Sequence, residues 1–350
     1  MIRAVHADFP HDEFLRDALA GFGPLSLTGR GFHIAAALRK HLPTDYSQAI
    51  DVLLASASQT HEHRASGGMA AFLYMPHLLF VAQHGLDHFE DSMRAQHALT
   101  QRFTAEYSIR AFLENHPDAT LARLREWTRD ASPHVRRLVS EGTRPRLPWA
   151  SRLRAFQKDP RPVLELLELL KDDSELYVRR SVANNLNDIG KDHPALLIAV
   201  AKRWLRGATV ERRWIVNHAL RSAVKRADLG ALGALGYGSK AEVAVIDKRV
   251  APPRVKIGGS VTLSFTLVNK QSKPQRVMVD LVVHFVKARG TGAKTFKMKA
   301  LTLAPRARVS VTKKIGLRQL TTRKHYPGVH KVEALLNGRR VALGGFTLVR

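Results

Sequence analysis

Apolar residues recur at helical spacing through the N-terminal part of the chain. They stand three and four positions apart in residues 12–19 and 32–40, which is the pattern of an amphipathic helix. A longer apolar stretch, residues 72–82, is too short to span a bilayer. We therefore predict an all-helical N-terminal region, with residues 72–82 buried and with Thr44 or Asp45 as the N-cap of a helix.

One five-residue pattern, which begins with arginine and ends in glutamate or asparagine, occurs four times. Its copies begin at residues 102, 137, 180 and 213, at intervals of 35, 43 and 33 residues. Intervals of this length are typical of stacked helical hairpins, in which equivalent inner helices lie side by side. The sequence therefore predicts an α solenoid of HEAT-like helical repeats, with each copy of the pattern on a helix.

Hydrophobic and polar positions alternate with a period of two after the glycine-rich residues 230–238. Residues 261–267, 277–285 and 308–312 alternate and are rich in β-branched side chains, which favours strands. Asn337-Gly338 lies between two further apolar runs and is a strong hairpin signal. About seven short strands of this kind predict an all-β immunoglobulin-like sandwich. The predicted domains are a helical-repeat domain over 1–232, a glycine-rich linker over 233–239 and a basic immunoglobulin-like domain over 240–350.

Positive charge is concentrated in the C-terminal region. Residues 240–350 carry 24 Lys and Arg against 4 Asp and Glu, a net charge of +20 out of +26 for the whole chain. A field of this size favours a polyanion such as DNA, whose binding releases counterions. The alternative is a soluble protein whose high pI has no functional meaning. From charge alone we select as candidate DNA contacts Lys297, Lys299, Arg323 and Lys324.

Several kinds of chemistry are excluded by the sequence. There is no cysteine, so disulfides, thiolate nucleophiles and thiolate metal sites are impossible. His84 and His88 have the spacing of a zinc-binding helix, but Gly85 stands where a zinc protease has glutamate, so structural histidines are favoured. His61 and His63 are interpreted in the same way. We expect no metal and no cofactor, and a cytoplasmic location because no secretion signal or membrane span is recognised.

Three carboxylates are the strongest candidates for chemistry. Glu106 and Glu141 share the repeat register, which places them about 10 Å apart or closer in neighbouring repeats. Asp188 follows Asn184 by one helical turn on the same face. Carboxylates in a positive groove repel phosphate, but they would stabilise the oxocarbenium-like sugar that forms when an N-glycosidic bond breaks. The alternative is ordinary ion pairing, of Glu106 with Arg102 or Arg110 and of Asp188 with Arg180 or Lys191.

Residues 140–149, SEGTRPRLPW, form a second candidate. The two prolines favour an extended, rigid backbone that places Arg144 and Arg146 where they could bind phosphates. Trp149 would offer a flat face to a sugar or a base. The alternative is a proline-stiffened loop between repeats, with Trp149 in the core.

Longer segments carry a resemblance to a known family. They are residues 67–90, 103–113, 134–149 and 178–194 in the helical part and residues 295–299 and 318–328 in the basic part. These segments resemble the AlkC family of bacterial HEAT-like-repeat DNA glycosylases, which are relatives of AlkD. The basic part resembles the immunoglobulin-like domain that one AlkC subgroup carries at its C-terminus.

The resemblance implies excision of cationic N-alkylated bases, chiefly 3-methyladenine and 3-methylcytosine, from double-stranded DNA without rotation of the base into a pocket. It also implies that Glu106 and Glu141 face the lesion sugar and that Trp149 packs against the deoxyribose or the backbone. Asp188 would join the carboxylate cluster. Because nothing marks a Schiff-base lysine, we expect a monofunctional glycosylase, and we expect it to be a monomer.

Predicted phosphate contacts in the groove are Arg144, Arg146, Arg179 and Arg180. Two other functions stay open. The first is a non-catalytic HEAT-repeat scaffold that binds nucleic acid, although a pure binder gains nothing from carboxylates that repel phosphate. The second is an adaptor that binds acidic proteins through its basic sandwich and is indifferent to DNA.

Overall fold

The computed structural model describes residues 1–58, 70–238, 242–321 and 324–350. Within them the chain forms fifteen α-helices and two 3₁₀ turns, followed by eight β-strands. Three residues with predictions lie outside the described residues, namely His61, His63 and Arg323, as does residue 239 of the predicted linker.

Helices make up the described chain as far as residue 234. They are α1 His11–Leu19, α2 Leu27–His41, α3 Tyr46–Ser58, α4 Met75–His84, α5 Phe89–Leu99, α6 Ser108–Asn115, α7 Pro117–Trp127, α8 Pro133–Gly142, α9 Arg154–Lys158, α10 Arg161–Leu170, α11 Leu176–Asp192, α12 Pro194–Leu205, α13 Val210–Ala219, α14 Arg221–Lys225 and α15 Leu229–Ala234. In the described part of the chain no helix is long and apolar enough to cross a membrane.

The N-terminal helices agree with the apolar pattern, with two refinements. Asp45 is the N-cap of α3, since its side chain accepts a hydrogen bond from the Gln48 backbone N–H at 2.9 Å. The apolar stretch that predicted one buried helix forms a 3₁₀ turn, Ala70–Tyr74, and then α4. Pro76 lies at the start of α4, where a missing N–H costs nothing and the fixed φ favours a helix start.

Helices of the repeat region pack in two rows. In one row, α8 packs against α11 and α11 packs against α13. In the other row, α7 packs against α10, and these two helices cover α8. Each helix buries an apolar stripe in this arrangement, as in α10, where Val163, Leu166, Leu167 and Leu170 are buried.

The first copy of the repeat pattern is not helical, contrary to prediction. Residues 102–106 belong to the turn between α5 and α6, whereas the other three copies lie on α8, α11 and α13. Side chains replace helical hydrogen bonds in this turn: the Glu106 N–H donates to Thr104 Oγ1, and the Ala105 N–H donates to Thr100 Oγ1, both at 3.3 Å. Threonine hydroxyls that bind nearby backbone groups compete with helix formation.

The C-terminal strands form two sheets. The strands are β1 Val243–Ala251, β2 Arg254–Lys256, β3 Ser260–Asn269, β4 Gln275–Val286, β5 Thr291–Leu303, β6 Arg308–Gly316, β7 Gly328–Leu336 and β8 Arg339–Val349. The sheets have strand orders β1-β3-β6 and β2-β8-β7-β4-β5. Every pair is antiparallel except β2 with β8. Alternate residues of β3 are buried in the shared apolar core, as their period of two predicts.

The predicted hairpin turn lies between β7 and β8. Asn337 and Gly338 have φ values of +45° and +87°, so they form the two-residue turn with both central φ angles positive that suits a hairpin. The named runs correspond to β3, β4, β6, β7 and β8, whereas no run was assigned to β1, β2 or β5. The shortest of these three is β2, which has three residues directly after Pro252-Pro253. A strand this short has no readable alternation.

Contacts divide the chain into two compact units. The first contains Met1–His193 and Gly207–Ala219, and the second contains Pro194–Arg206 and Leu220–Arg350. Helices α12, α14 and α15 therefore group with the strands. Helix α15 also includes the first two residues of the predicted linker, because Ala231 and Leu232 are buried and hold this turn in place.

Candidate active site

Arg137 on α8 lies between two carboxylates. Its Nη2 is 2.9 Å from Glu106 Oε2 and 3.6 Å from Glu141 Oε1. Its Nη1 donates to Thr104 Oγ1 at 2.9 Å, and this hydroxyl in turn donates to Glu106 Oε2 at 2.9 Å. The guanidinium also lies 5.1 Å from the Tyr177 ring centroid, within cation–π distance. Both predicted glutamates are thus held by one arginine that sequence reasoning did not select.

Arg144 likewise lies between two carboxylates, those of Glu141 and Asp188. Its Nη1 donates to Glu141 Oε1 at 2.5 Å, while its Nε and Nη2 both lie 2.8 Å from Asp188 Oδ2. Lys191 completes the row, with its Nζ 2.7 Å from Asp188 Oδ1. Although burial acts in the opposite direction, the two carboxylates raise the pKa of Arg144 above its ordinary value. Acid and base therefore alternate from Glu106 to Lys191, and each buried charge has a partner of opposite sign.

One of the three carboxylates has a free oxygen. Both oxygens of Glu141 are bonded, since Ser181 Oγ donates to Oε2 at 2.6 Å, and both oxygens of Asp188 are bonded by Arg144 and Lys191. At Glu106, Arg137 and Thr104 both bind Oε2. Among the described residues, Glu106 Oε1 has no hydrogen-bond partner. Glu106 can therefore accept a hydrogen bond from a ligand without breaking any of these bonds.

Glu106 also borders a cavity of about 550 Å³ in the first unit. Apolar side chains form most of its wall, among them Phe32, Phe72 and Phe103. Trp149 stands at the same cavity with 87% of its surface exposed, so it is not the core residue of the alternative interpretation. Glu141 and Asp188 do not line this cavity, and their side chains are only 7% and 2% exposed. Glu106 is itself only 12% exposed, but it is the one carboxylate of the three that lines the cavity.

Three further titratable residues of this cavity were missed by sequence reasoning as site residues. Tyr107, Arg110 and Glu114 line it together with Glu106. Burial, followed by the nearby Glu106 and Glu141 carboxylates, raises the pKa of Tyr107 above its ordinary value. Glu106, Arg110 and Glu114 are spaced four residues apart in the sequence, as neighbours on one face of a helix are. This spacing is the sequence signal that could have identified Arg110 and Glu114.

The predicted phosphate contacts have different environments. The Arg144 side chain is enclosed between Glu141 and Asp188 and offers little exposed surface to a phosphate, so its phosphate contact stays a prediction. Arg146 is bonded to both Asp192 oxygens, at 2.8 and 2.5 Å, and Arg179 binds the carbonyls of Asp173 and Ser174. Arg180 is exposed and has no polar partner among the described residues. Of the four arginines, Arg180 is the one that is open to a phosphate.

The remaining predicted residues lie at the surface or in the helical core. Lys297 and Lys299 are exposed on β5, and Lys324 is exposed before β7. His84 packs edge-on against Phe80, while His88 stacks on Tyr46 with a centroid distance of 4.6 Å. Within the ranges given above, no group of three or more His, Cys, Asp or Glu could hold a metal ion.

Fold and site together define a class, a helical-repeat protein with enclosed ion-paired carboxylates and a C-terminal immunoglobulin-like sandwich. Comparison with known proteins identifies the family within this class. Residues 31–226 match the family described as DNA alkylation repair enzyme. Residues 244–350 match the C-terminal Ig-like domain of the uncharacterised protein YhaZ. The chain belongs to the DNA alkylation repair enzyme family.

Two proteins are similar over almost the whole chain. The uncharacterized protein YhaZ of Bacillus subtilis (strain 168) is 37% identical over 339 residues, which cover 96% of this chain and 92% of YhaZ. The alkylpurine DNA glycosylase AlkC of Pseudomonas fluorescens, solved with DNA containing an abasic site analog, is 40% identical. That structure matches with a TM-score of 0.91 and covers 100% of this chain and 95% of its own. The predicted fold class and the predicted membership of the AlkC group of DNA glycosylases are confirmed.

Proposed function

We propose that this enzyme is a monofunctional DNA glycosylase that excises cationic N-alkylated bases, 3-methyladenine and 3-methylcytosine, from double-stranded DNA. The observation that carries the proposal is the free Oε1 of Glu106, beside a cavity that also presents the exposed Trp149. The AlkC of Pseudomonas fluorescens supports it, since that relative is an alkylpurine glycosylase bound to DNA. Following the resemblance to AlkC, the base is not rotated into a pocket.

Bond cleavage in this proposal needs little help at the base. Alkylation makes the base cationic, so it leaves with the electron pair of the N-glycosidic bond and needs no strong general acid. Positive charge then develops on the sugar, where a fixed carboxylate stabilises it. Glu106 has this role, and its Oε1 holds the water that adds to the sugar carbon and accepts the proton that this water loses. The product is an abasic site.

Glu141 and Asp188 act through other residues in this mechanism. Their oxygens are occupied by Arg144, Ser181 and Lys191. They orient Arg144 and, together with Arg137, fix the position of the Glu106 carboxylate. We therefore assign to them positioning roles and leave to Glu106 the contact with the sugar and water. Trp149 packs its exposed ring against the deoxyribose or an adjoining base, as base-stacking aromatic residues do.

The expected partner is alkylated double-stranded DNA, and the expected location is the bacterial cytoplasm with the nucleoid. Arg180 in the repeats and Lys297, Lys299 and Lys324 in the sandwich remain the proposed phosphate contacts. The proposed hydrolysis needs no cofactor, and a monomer suffices because the whole carboxylate row belongs to one chain.

Single-turnover release of 3-methyladenine from methylated DNA tests the proposal directly. We expect release by the wild type and a rate lower by about a hundred-fold for Glu106→Gln, with DNA affinity equal or higher. Glu126→Gln, on the exposed face of α7, is the matched control and should keep the wild-type rate. Equal release by wild type and Glu106→Gln would refute the role of Glu106. No release by either, with DNA bound, would favour the non-catalytic scaffold, and indifference to DNA would favour the adaptor.

A further inference from the structure

Arg110 on α6 binds three backbone carbonyls of one loop. Its Nη1 donates to the carbonyl oxygens of Gly142 at 3.1 Å and Arg144 at 2.9 Å, and its Nη2 donates to that of Ser151. One side chain therefore joins both ends of residues 142–151, which we call the tryptophan loop. A planar guanidinium can hold several acceptors in fixed directions, which a lysine ammonium on its flexible stem cannot do.

The tryptophan loop carries Trp149 in an unfavourable conformation. Trp149 has a φ of +64°, in the left-handed region that costs a residue with a side chain about 1–3 kcal/mol. Such a conformation persists only where surrounding bonds determine it, and Arg110 supplies one of them two residues further on, at Ser151. Most of the indole ring is exposed, so packing of that ring does not account for the conformation.

Arg110 itself is costly to keep in this place. It is buried, its Nε has no hydrogen-bond partner, and its hydrogen bonds go to carbonyl oxygens rather than carboxylates. Burial lowers the pKa of its guanidinium to about 10. An unpaired buried cation destabilises a fold unless its hydrogen bonds compensate. Its position at the cavity wall suggests a purpose other than stability.

The tryptophan loop also connects to the carboxylate row. Arg144 gives its carbonyl to Arg110 and its side chain to Glu141 and Asp188. The bonds of Arg110 therefore restrain the backbone from which Arg144 extends. At the other end of the same loop, the bond from Arg110 to the Ser151 carbonyl restrains Trp149.

We propose that Arg110 is a positioning residue, which fixes the tryptophan loop so that Trp149 stays at the cavity beside Glu106. This proposal rests on the proposed function for its effect on rate, but its structural part does not. Replacement by lysine keeps the positive charge and removes the fork that joins both ends of the loop.

Fluorine NMR tests the structural part without requiring activity. The chain has four tryptophans, so 5-fluorotryptophan labelling gives four signals, and the signal absent from Trp149→Phe belongs to Trp149. We expect Arg110→Lys to shift or broaden the Trp149 signal and to leave the other three in place. Arg179→Lys is the matched control, since Arg179 also binds two carbonyls, of Asp173 and Ser174, and also has an Nε without a partner, but does not bond to this loop. An unchanged Trp149 signal in Arg110→Lys would overturn the proposal.

A double-mutant cycle tests the effect on the reaction. Arg110→Lys should lower the single-turnover rate about ten-fold in the wild-type background and by a clearly smaller factor in the Trp149→Ala background, because the part of its effect that passes through Trp149 is then absent. If the rate reductions of the two single variants simply multiply in the double variant, Arg110 does not act through Trp149 and the proposal is contradicted. If Arg110→Lys does not fold, Arg110→Gln with the same signals replaces it. An inactive wild type with a shifted Trp149 signal would refute the proposed function and leave the role of Arg110 in the loop intact.

Discussion

The guanidinium of Arg137 lies 2.9 Å from the Glu106 carboxylate, although Glu106 belongs to the turn before α6 and Arg137 belongs to α8. This contact occupies Oε2 and leaves Oε1 free. It therefore fixes the carboxylate and at the same time directs its free oxygen. A carboxylate that must stabilise a short-lived cation benefits from this, because it does not need to reorient during the reaction.

Removal of Arg137 should affect both folding and rate. In Arg137→Met, Glu106 and Glu141 lose the cation between them, and breaking a buried ion pair from one side typically costs about 3–5 kcal/mol. We expect urea denaturation to show that the free energy of unfolding falls by about 3 kcal/mol, the lower end of this range, because the arginine is partly exposed. The single-turnover rate should also fall. Wild-type stability in Arg137→Met would show that the arginine does not hold the two carboxylates together.

Substitutions of Trp149 should separate stability from function. Trp149 is exposed and has a positive φ, so Trp149→Gly should be about 1 kcal/mol more stable than Trp149→Ala, since glycine adopts this conformation without strain. Both should weaken binding to DNA with an abasic site about ten-fold or more, the usual effect of losing an aromatic stacking contact. Thermal unfolding and fluorescence anisotropy with labelled DNA measure the two effects. Unchanged DNA binding in both variants would remove Trp149 from the proposed interface.

The repeat register predicted that the carboxylates would lie together, and it did so for a simple reason. Equivalent positions of stacked helices are neighbours whatever the details of packing. On α8 and α11, which pack together, the equivalent positions are Glu141 and Asn184, and Asp188 lies one helical turn beyond Asn184. Glu106 came close by a different route, because its segment is a turn and not a helix.

Side-chain pairing could not be predicted in the same way. Pro145 and Pro148, which follow Arg144, suggested an exposed extended segment, yet Pro145 and Arg144 are both buried. The direction of this arginine depends on carboxylates contributed by two helices, and the sequence pattern gives no information on the rotamer that joins them. The same holds for Arg137 and for the free oxygen of Glu106.

Gly142 should not tolerate a side chain. A Cβ atom at this position would lie 2.5 Å from Ile109 Cγ2, since the end of α8 closely approaches α6 there. Gly142→Ala should therefore lower the free energy of unfolding by about 1–3 kcal/mol, as overpacking of a core does. Gly233→Ala is the control, because a Cβ on this α15 residue meets nothing within 4 Å, and alanine should stabilise that helix. Equal melting temperatures for the two variants would contradict the close approach.

His77 should make stability depend on pH. It is buried on α4, its Nε2 donates to Ser56 Oγ, which itself donates to Leu53, and its Nδ1 has no partner. Burial lowers the pKa of His77 to about 4 from an ordinary value of 6.5. The unfolded chain therefore binds a proton at higher pH than the folded one, so stability is complete above pH 6.5 and falls as the pH drops towards 4.

The matched variant is His77→Gln, which can still donate to Ser56 but does not titrate. We expect wild type to lose on the order of 2–3 kcal/mol more than His77→Gln between pH 7 and pH 4.5. Urea denaturation at both pH values measures the difference, and other titrating groups cancel between the two proteins. Parallel losses would show that His77 is protonated in the folded protein.

Lysines at one edge of the larger sheet should contribute to DNA binding through charge. Lys297 and Lys299 are exposed on β5, the last strand of that sheet. If both contact phosphates, Lys297→Ala/Lys299→Ala should lower the slope of log affinity against log salt by about 2, since each lost contact removes roughly 0.9. Arg254→Ala/Lys256→Ala is the control, with the same charge and spacing on β2 at the opposite edge. Equal losses from both edges would mean that the sandwich attracts DNA only through its net charge, without a preferred face.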